Sequence, residues 1–163
     1  MYPEILYVMA EDLLQTCQAK DLKLALAESC TGGLIGGLIT SVPGSSSMFD
    51  RGIVSYTNPA KGEMLGVPAY VFMEYGSVSE ECARAMAEGA LEHSHANLSA
   101  SVTGIAGPDG GSDDKPIGRV HIAVARDDFE TLHEEHTFDG DRHRVRIQAV
   151  ESAMRLLNQM AAK

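Results

Sequence analysis

Four short segments of the chain carry side chains that can do chemistry together. The first, Ala27-Glu28-Ser29-Cys30-Thr31-Gly32-Gly33, follows a short apolar run and opens a stretch in which Leu34, Leu38 and Ile39 recur with helical spacing. A strand that ends at a hydroxyl and turns through glycines into a helix sets free backbone N–H groups, and the positive end of a helix dipole, beside that hydroxyl. Such a junction suits an anion. Three uses are open to it: a cradle for phosphate or carboxylate, a Ser29 nucleophile with an oxyanion hole made by the amides after it, or a plain helix cap by Ser29 or Thr31, with the glycines permitting close helix-to-strand packing. The run Gly-Gly-Leu-Ile-Gly-Gly lacks the G-x-G-x-x-G spacing, and no G-K-[ST] follows any glycine run, so dinucleotide and Walker A readings are weak.

The second segment is Ser55-Tyr56-Thr57-Asn58-Pro59-Ala60-Lys61. Lys61 falls near the start of a short helix, where the dipole disfavours a cation, and burial would lower its pKa further. A neutral lysine can serve as a base. Tyr56 can hydrogen-bond that lysine or a substrate; the alternative is an exposed lysine with Tyr56 packed at a sheet edge. The third segment, Thr103-Gly104-Ile105-Ala106-Gly107-Pro108, runs on through polar residues to Pro116 and is a loop on backbone grounds alone. The fourth, residues 138–146, is the one dense basic cluster: Arg142 and Arg146 are four apart on a helix face, a spacing suited to a phosphate or to solvated surface charge. The histidines suggest no metal. His133 and His136 sit three apart in a strand, where alternate residues face opposite ways, and His93, His95, His121 and His143 have no ligand spacing.

Periodicity supplies the elements that must position these groups. Residues 3–19 predict an amphipathic helix, 23–28 a buried strand, 48–56 a second strand, and 58–65 a short helix ended by Gly66. Ser77 with Glu80 has capping-box spacing ahead of a helix over 78–94. Residues 98–102 read as a central strand, and 117–126 with 130–138 as a hairpin around Asp127-Asp128. A long last helix presents Val150, Ala153, Met154, Leu157 and Met160. Alternating strands and helices followed by a hairpin predict one α/β domain over 1–163, a mixed and mostly parallel sheet with helices on both faces. Loops after parallel strands share the carboxyl edge, so the first three segments are expected to meet in one cleft.

Composition narrows the partners. The 163 residues are 44% apolar and 22% charged, which excludes disorder and coiled coil. A net charge of −10 repels phosphate backbones and argues against nucleic acid. Three dispersed cysteines, Cys17, Cys30 and Cys82, fit reduced thiols in a cytoplasm. No apolar run reaches membrane-spanning length, and the N-terminal segment lacks the basic region of a signal peptide.

Seven motifs in order, AESCTGG (27–33), VPGSS (42–46), GIVSYTNPAK (52–61), GSVS (76–79), TGIAGPDGG (103–111), KPIGRV (115–120) and GDRHRVR (140–146), resemble the CinA C-terminal domain family, whose enzymatic members are nicotinamide-nucleotide amidases. The resemblance implies a three-layer α/β/α sandwich around a mixed five-stranded sheet. It implies hydrolysis of the carboxamide of nicotinamide mononucleotide to the carboxylate with release of ammonia, without metal or cofactor. The family's catalytic serine, lysine and tyrosine fall on Ser29, Lys61 and Tyr56. Lys61 would act as base to Ser29 with Tyr56 supporting proton transfer. Amides around Cys30, Thr31 and Gly32 would hold the oxyanion, and Thr103, Gly104, Arg142 and Arg146 the ribose phosphate. A homo-oligomer, dimer favoured, is also implied. Relative to the family pattern, Ser112-Asp113-Asp114 adds negative charge near a site meant for an anion. The rival classes are a non-catalytic pyridine-nucleotide or phosphate-binding module, and a hydrolase of another small amide.

Overall fold

Strand β1 (Leu24–Glu28) is fully buried and lies inside the sheet, with a strand on either side. In this computed structural model, which describes residues 1–163, β1 is flanked by β2 (Phe49–Val54) and β3 (Leu98–Gly104), both parallel to it. Strand β4 (Arg119–Arg126) pairs antiparallel with β3, and β5 (Leu132–Thr137) antiparallel with β4, so the sheet order is β2-β1-β3-β4-β5. Only β4 opposes the direction of the other strands.

Each face of the sheet is covered by helices chosen by residue size. One face presents Leu24, Leu26, Leu98, Ala100, Val102, Val120, Ile122 and Val124, and packs against α1 (Glu4–Lys20), α2 (Leu34–Thr40) and α6 (Arg142–Ala162). The other presents small residues: Ala25 and Ala27 of β1, Ser99 and Ser101 of β3, Ala123 and Ala125 of β4. Against it lie α3 (Asn58–Leu65), α4 (Ala69–Glu74) and α5 (Glu80–Glu92). Small side chains let α5 approach closely enough for the Ser99 and Ser101 hydroxyls to donate to its Ala87 and Ala83 carbonyls, at 2.7 and 2.6 Å. Helix α3 meets α5 at Gly89, where a Cβ would stand 2.0 Å from the Leu65 carbonyl oxygen.

Helix α5 starts later than its sequence suggested. Ser79, not Ser77, is the cap: its Oγ accepts from the Cys82 N–H at 3.1 Å, and Ser77 instead offers its carbonyl to the Thr103 hydroxyl. Helix α4 was not foreseen, because it buries only Val71 and one apolar contact makes no period. Strand β2 is confined to residues 49–54, so Ser55 and Tyr56 belong to the connection that leads into α3.

Candidate active site

The carboxyl ends of β1, β2 and β3 open into a cleft of about 230 Å³, on the edge where sheet order reverses about β1. Ser29 and Cys30 follow β1, Tyr56 follows β2, Thr103 and Gly104 end β3, and residues 105–110 with Arg142 close the remaining side. Ser77 and Val78, just ahead of α5, line it too.

Lys61 is buried at the floor, only 2% exposed. Its Nζ lies 3.0 Å from Ser29 Oγ, 3.1 Å from the Ser55 carbonyl and 3.2 Å from the Tyr56 carbonyl. Thr57 caps α3 through a hydrogen bond from the Ala60 N–H, with Pro59 in its first turn, and this directs Lys61 inward from the next turn. No carboxylate pairs with the ammonium. Burial therefore pulls the Lys61 pKa below its ordinary value. The neighbouring thiols provide no counter-charge, since burial pushes Cys30 and Cys82 up to about 11. Three oxygen neighbours suit both protonation states: an ammonium donates to all three, whereas an amine donates to the two carbonyls and turns its lone pair to the Ser29 hydroxyl.

The α2 N-terminus does not serve as an anion cradle, because the chain supplies its own anion. Glu28 is buried, and its carboxylate accepts from the N–H groups of Gly33 (3.0 Å), Ile35 (3.2 Å) and Gly36 (2.9 Å). Those donors are unavailable to a ligand. The amides of Cys30 and Thr31 remain without a backbone acceptor, while that of Gly32 bonds the Ser29 carbonyl at 3.0 Å.

The two arginines of α6 have separated roles. Arg142 spans the mouth, donating from Nη1 to the Gly107 carbonyl (2.8 Å) and from Nη2 to the Tyr56 hydroxyl (2.9 Å). Arg146 stands behind the cleft, donating from Nε to the Cys30 carbonyl and from Nη2 to the Thr31 carbonyl, each at 3.0 Å. Thr31 is fully buried and its Oγ1 has no partner, as is also true of Ser55 Oγ. Thus Ser29, Cys30, Tyr56, Lys61, Thr103, Gly104 and Arg142 come together, whereas Thr31, Gly32 and Arg146 do not line the space. Tyr56 reaches Lys61 through its carbonyl, not its hydroxyl. The carboxylate that faces the cleft is Asp109, while Asp114 lies on a separate groove with Lys115 and His121. Sequence reasoning missed the part played by Glu28, whose only signal was an acid at the last strand position before a run of small, amide-exposing residues. No three His, Cys, Asp or Glu side chains gather as metal ligands.

The sequence profile of the CinA C-terminal domain matches residues 6–161. The chain belongs to that family. It is 46% identical over 144 residues to a nicotinamide-nucleotide amidohydrolase PncC of Enterobacter agglomerans, a match covering 88% of each chain. It is 49% identical to a CinA-like protein of Anaeromyxobacter dehalogenans, across 85% of this chain but 34% of that protein. The chain thus spans about a third of the length of several such curated relatives. The crystal structure of competence/damage inducible protein CihA from Agrobacterium tumefaciens superposes with a TM-score of 0.96 at 41% identity, covering 100% of this chain and 99% of that one. The α/β fold with its five-stranded mixed sheet is that of the CinA superfamily. No helix is long and apolar enough to cross a membrane.

Proposed function

We propose that this chain is a nicotinamide mononucleotide amidase that works through a Ser29–Lys61 dyad. The observation that carries the reading is the buried, carboxylate-free Lys61 with its Nζ 3.0 Å from Ser29 Oγ. A structural lysine seldom lies this deep without an acid beside it. A base gains a lowered pKa and an aligned proton donor. Similarity to a relative named as a nicotinamide-nucleotide amidohydrolase supports the choice of substrate.

Ser29 Oγ bonds to the carboxamide carbon as its proton passes to Lys61 Nζ, and the carbonyl electron pair moves onto oxygen. The Cys30 N–H, which has no backbone acceptor, stabilises that oxygen from the cleft wall. Lys61 then returns the proton to the leaving nitrogen, and ammonia departs as the C–N bond breaks. Water, deprotonated by the same lysine, opens the resulting ester and restores Ser29. At about 230 Å³ the cleft is small for a whole nucleotide, so the ring enters and the ribose phosphate stays at the mouth, near Arg142.

Ammonia release from nicotinamide mononucleotide by wild type, Ser29→Ala and Lys61→Ala tests the reading. Loss of about 10⁴–10⁶-fold in Ser29→Ala and about 10²–10⁴-fold in Lys61→Ala, with melting temperatures retained, is the expected outcome. Binding of the nucleotide by wild type without turnover would make the domain a binding module instead.

A further inference from the structure

Along β3, odd- and even-numbered residues hydrogen-bond to different neighbours. Asn97, just ahead of the strand, accepts from the Asp127 N–H, and Ile105, just after it, donates to the Arg119 carbonyl, so odd residues bond β4. The Leu98 N–H donates to the Lys23 carbonyl, and the Val102 carbonyl accepts from the Ser29 N–H, so even residues face β1. The next rung of that parallel ladder would join the Gly104 N–H to the Ser29 carbonyl. It is not made: β1 ends at Glu28, and the Ser29 carbonyl takes the Gly32 N–H at 3.0 Å. The Gly104 N–H is left without a backbone acceptor on the β1 side of β3, one rung beyond the bond that Ser29 makes to Val102. Gly104 lines the cleft there, together with Ser29, Cys30 and Lys61.

Strand β4 fixes the direction of this group as well as its position. Ile105 bonds β4 through both its N–H and its carbonyl, to Arg119 and Gly118, at 2.9 and 2.8 Å. The approach is so close that a Cβ at Gly104 would stand 2.7 Å from Val120 Cγ2 and 2.9 Å from the Arg119 carbonyl oxygen. With the strand held on that side, the Gly104 N–H points away from β4 into the gap that β1 leaves. The Ala106 N–H points the same way, since the Ile105 carbonyl takes the Gly118 N–H, but it lies about 6–7 Å farther along the chain, too far to share an oxygen with Gly104. The geometry points to Gly104 as a catalytic residue through its backbone: its N–H is a second donor, beside that of Cys30, to the oxygen on which charge develops as Ser29 attacks. The inference rests on the proposed serine mechanism, and it moves Gly104 from the phosphate-binding set to the reacting atoms.

A donor of this kind acts on the transition state more than on the bound ground state, so its loss lowers kcat and spares KM. It is removed without touching a side chain by an ester in place of the amide, glycolate for Gly104, in a full-length chain ligated at its own Cys82. The ester also weakens the Thr103 carbonyl as an acceptor from β4, so melting temperature is recorded alongside kcat and KM for nicotinamide mononucleotide. The expected result is a fall in kcat of about 10²–10³-fold, the scale of one lost oxyanion donor, with KM within about twofold and the chain folded at the assay temperature. In the wild-type chain, the Gly104 amide proton resonance should move downfield when a fluorophosphonate reacts with Ser29, because the phosphoryl oxygen then occupies the oxyanion position. Unchanged kcat in the ester chain, or a raised KM with kcat intact, overturns the inference and leaves the amidase reading standing; so does a Gly104 resonance that the adduct leaves in place. If the ester chain fails to fold, the wild-type resonance decides the same question. A wild-type chain that neither releases ammonia nor takes the label instead defeats the proposed function, and this inference with it.

Discussion

Lys61 and Glu28 are both buried and both charged by type, yet the fold treats them in opposite ways. Glu28 receives three backbone N–H donors, whereas Lys61 meets two carbonyls and a hydroxyl and no acid. Desolvation therefore lowers the Lys61 pKa from its usual value of 10.5. Since the amine is the proposed base, kcat/KM should climb with pH through that lowered pKa and level off before 10.5 is reached. A pH–rate profile that keeps rising beyond 10.5, or is flat from acid to base, would remove Lys61 from the chemistry. The residue types were legible in AESCTGG and SYTNPAK, because hydroxyl, lysine and glycines announce their chemistry. Hidden from the sequence were the partners: Lys61 meets Ser29 across the sheet edge and Arg146 reaches the Cys30 carbonyl from the last helix, while the nearer bonds of Glu28 and Lys61 depend on turn geometry that residue types alone do not fix.

Elements were legible where one face is buried at regular spacing, as in α1, α5 and α6, and illegible where burial rests on a single side chain, as in α4. The cap of α5 went to Ser79 because Ser77 turns its carbonyl to Thr103. Close approach of α3 and α5 sets the depth of Lys61. Gly89→Ala should force these helices apart, since its Cβ would meet the Leu65 carbonyl, and cost about 1–3 kcal/mol, roughly 2–10 °C in melting temperature. The loss of the proposed amidase activity should exceed what the remaining folded fraction explains, because α3 carries Lys61. Calorimetry paired with the ammonia assay separates the two effects; full activity at normal stability would show that the contact is not needed.

Across the whole molecule, a chain of titratable groups ties the sheet edge to α5. His121 of β4 and His133 of β5 stack and share a hydrogen bond of 3.0 Å, with Glu135 beyond one ring and Glu80 beyond the other, and Arg84, Arg119 and Lys115 nearby. Burial lowers both histidine pKa values from 6.5, so near that pH the unfolded chain binds more protons than the fold. This contribution to stability is present above 6.5 and is lost as pH falls through the lowered native values. Melting temperature should drop on acidification from 6.5, before carboxylates with ordinary values near 4.5 titrate, and His121→Asn should flatten that first limb. An unaltered limb in the variant would assign the loss elsewhere. The alternation of strands and helices made the three layers readable, while this histidine chain was not, since His121 and His133 meet only through β4–β5 register.

The two arginines of α6 give the cleft a direction in time. Ribosomes deliver Ser29 and Lys61 early, when the strands around β1 can begin to pair, but Arg142 and Arg146 emerge later and return across the sheet to the first loop. Until α6 docks, Ser29 stands beside a loop whose Cys30 and Thr31 carbonyls lack the Arg146 guanidinium, and under a mouth with no Arg142 across it. A nascent chain stalled before residue 142 would therefore display Ser29 in an unfinished cleft, and the proposed amidase site would be complete only as the last layer of the sandwich closes.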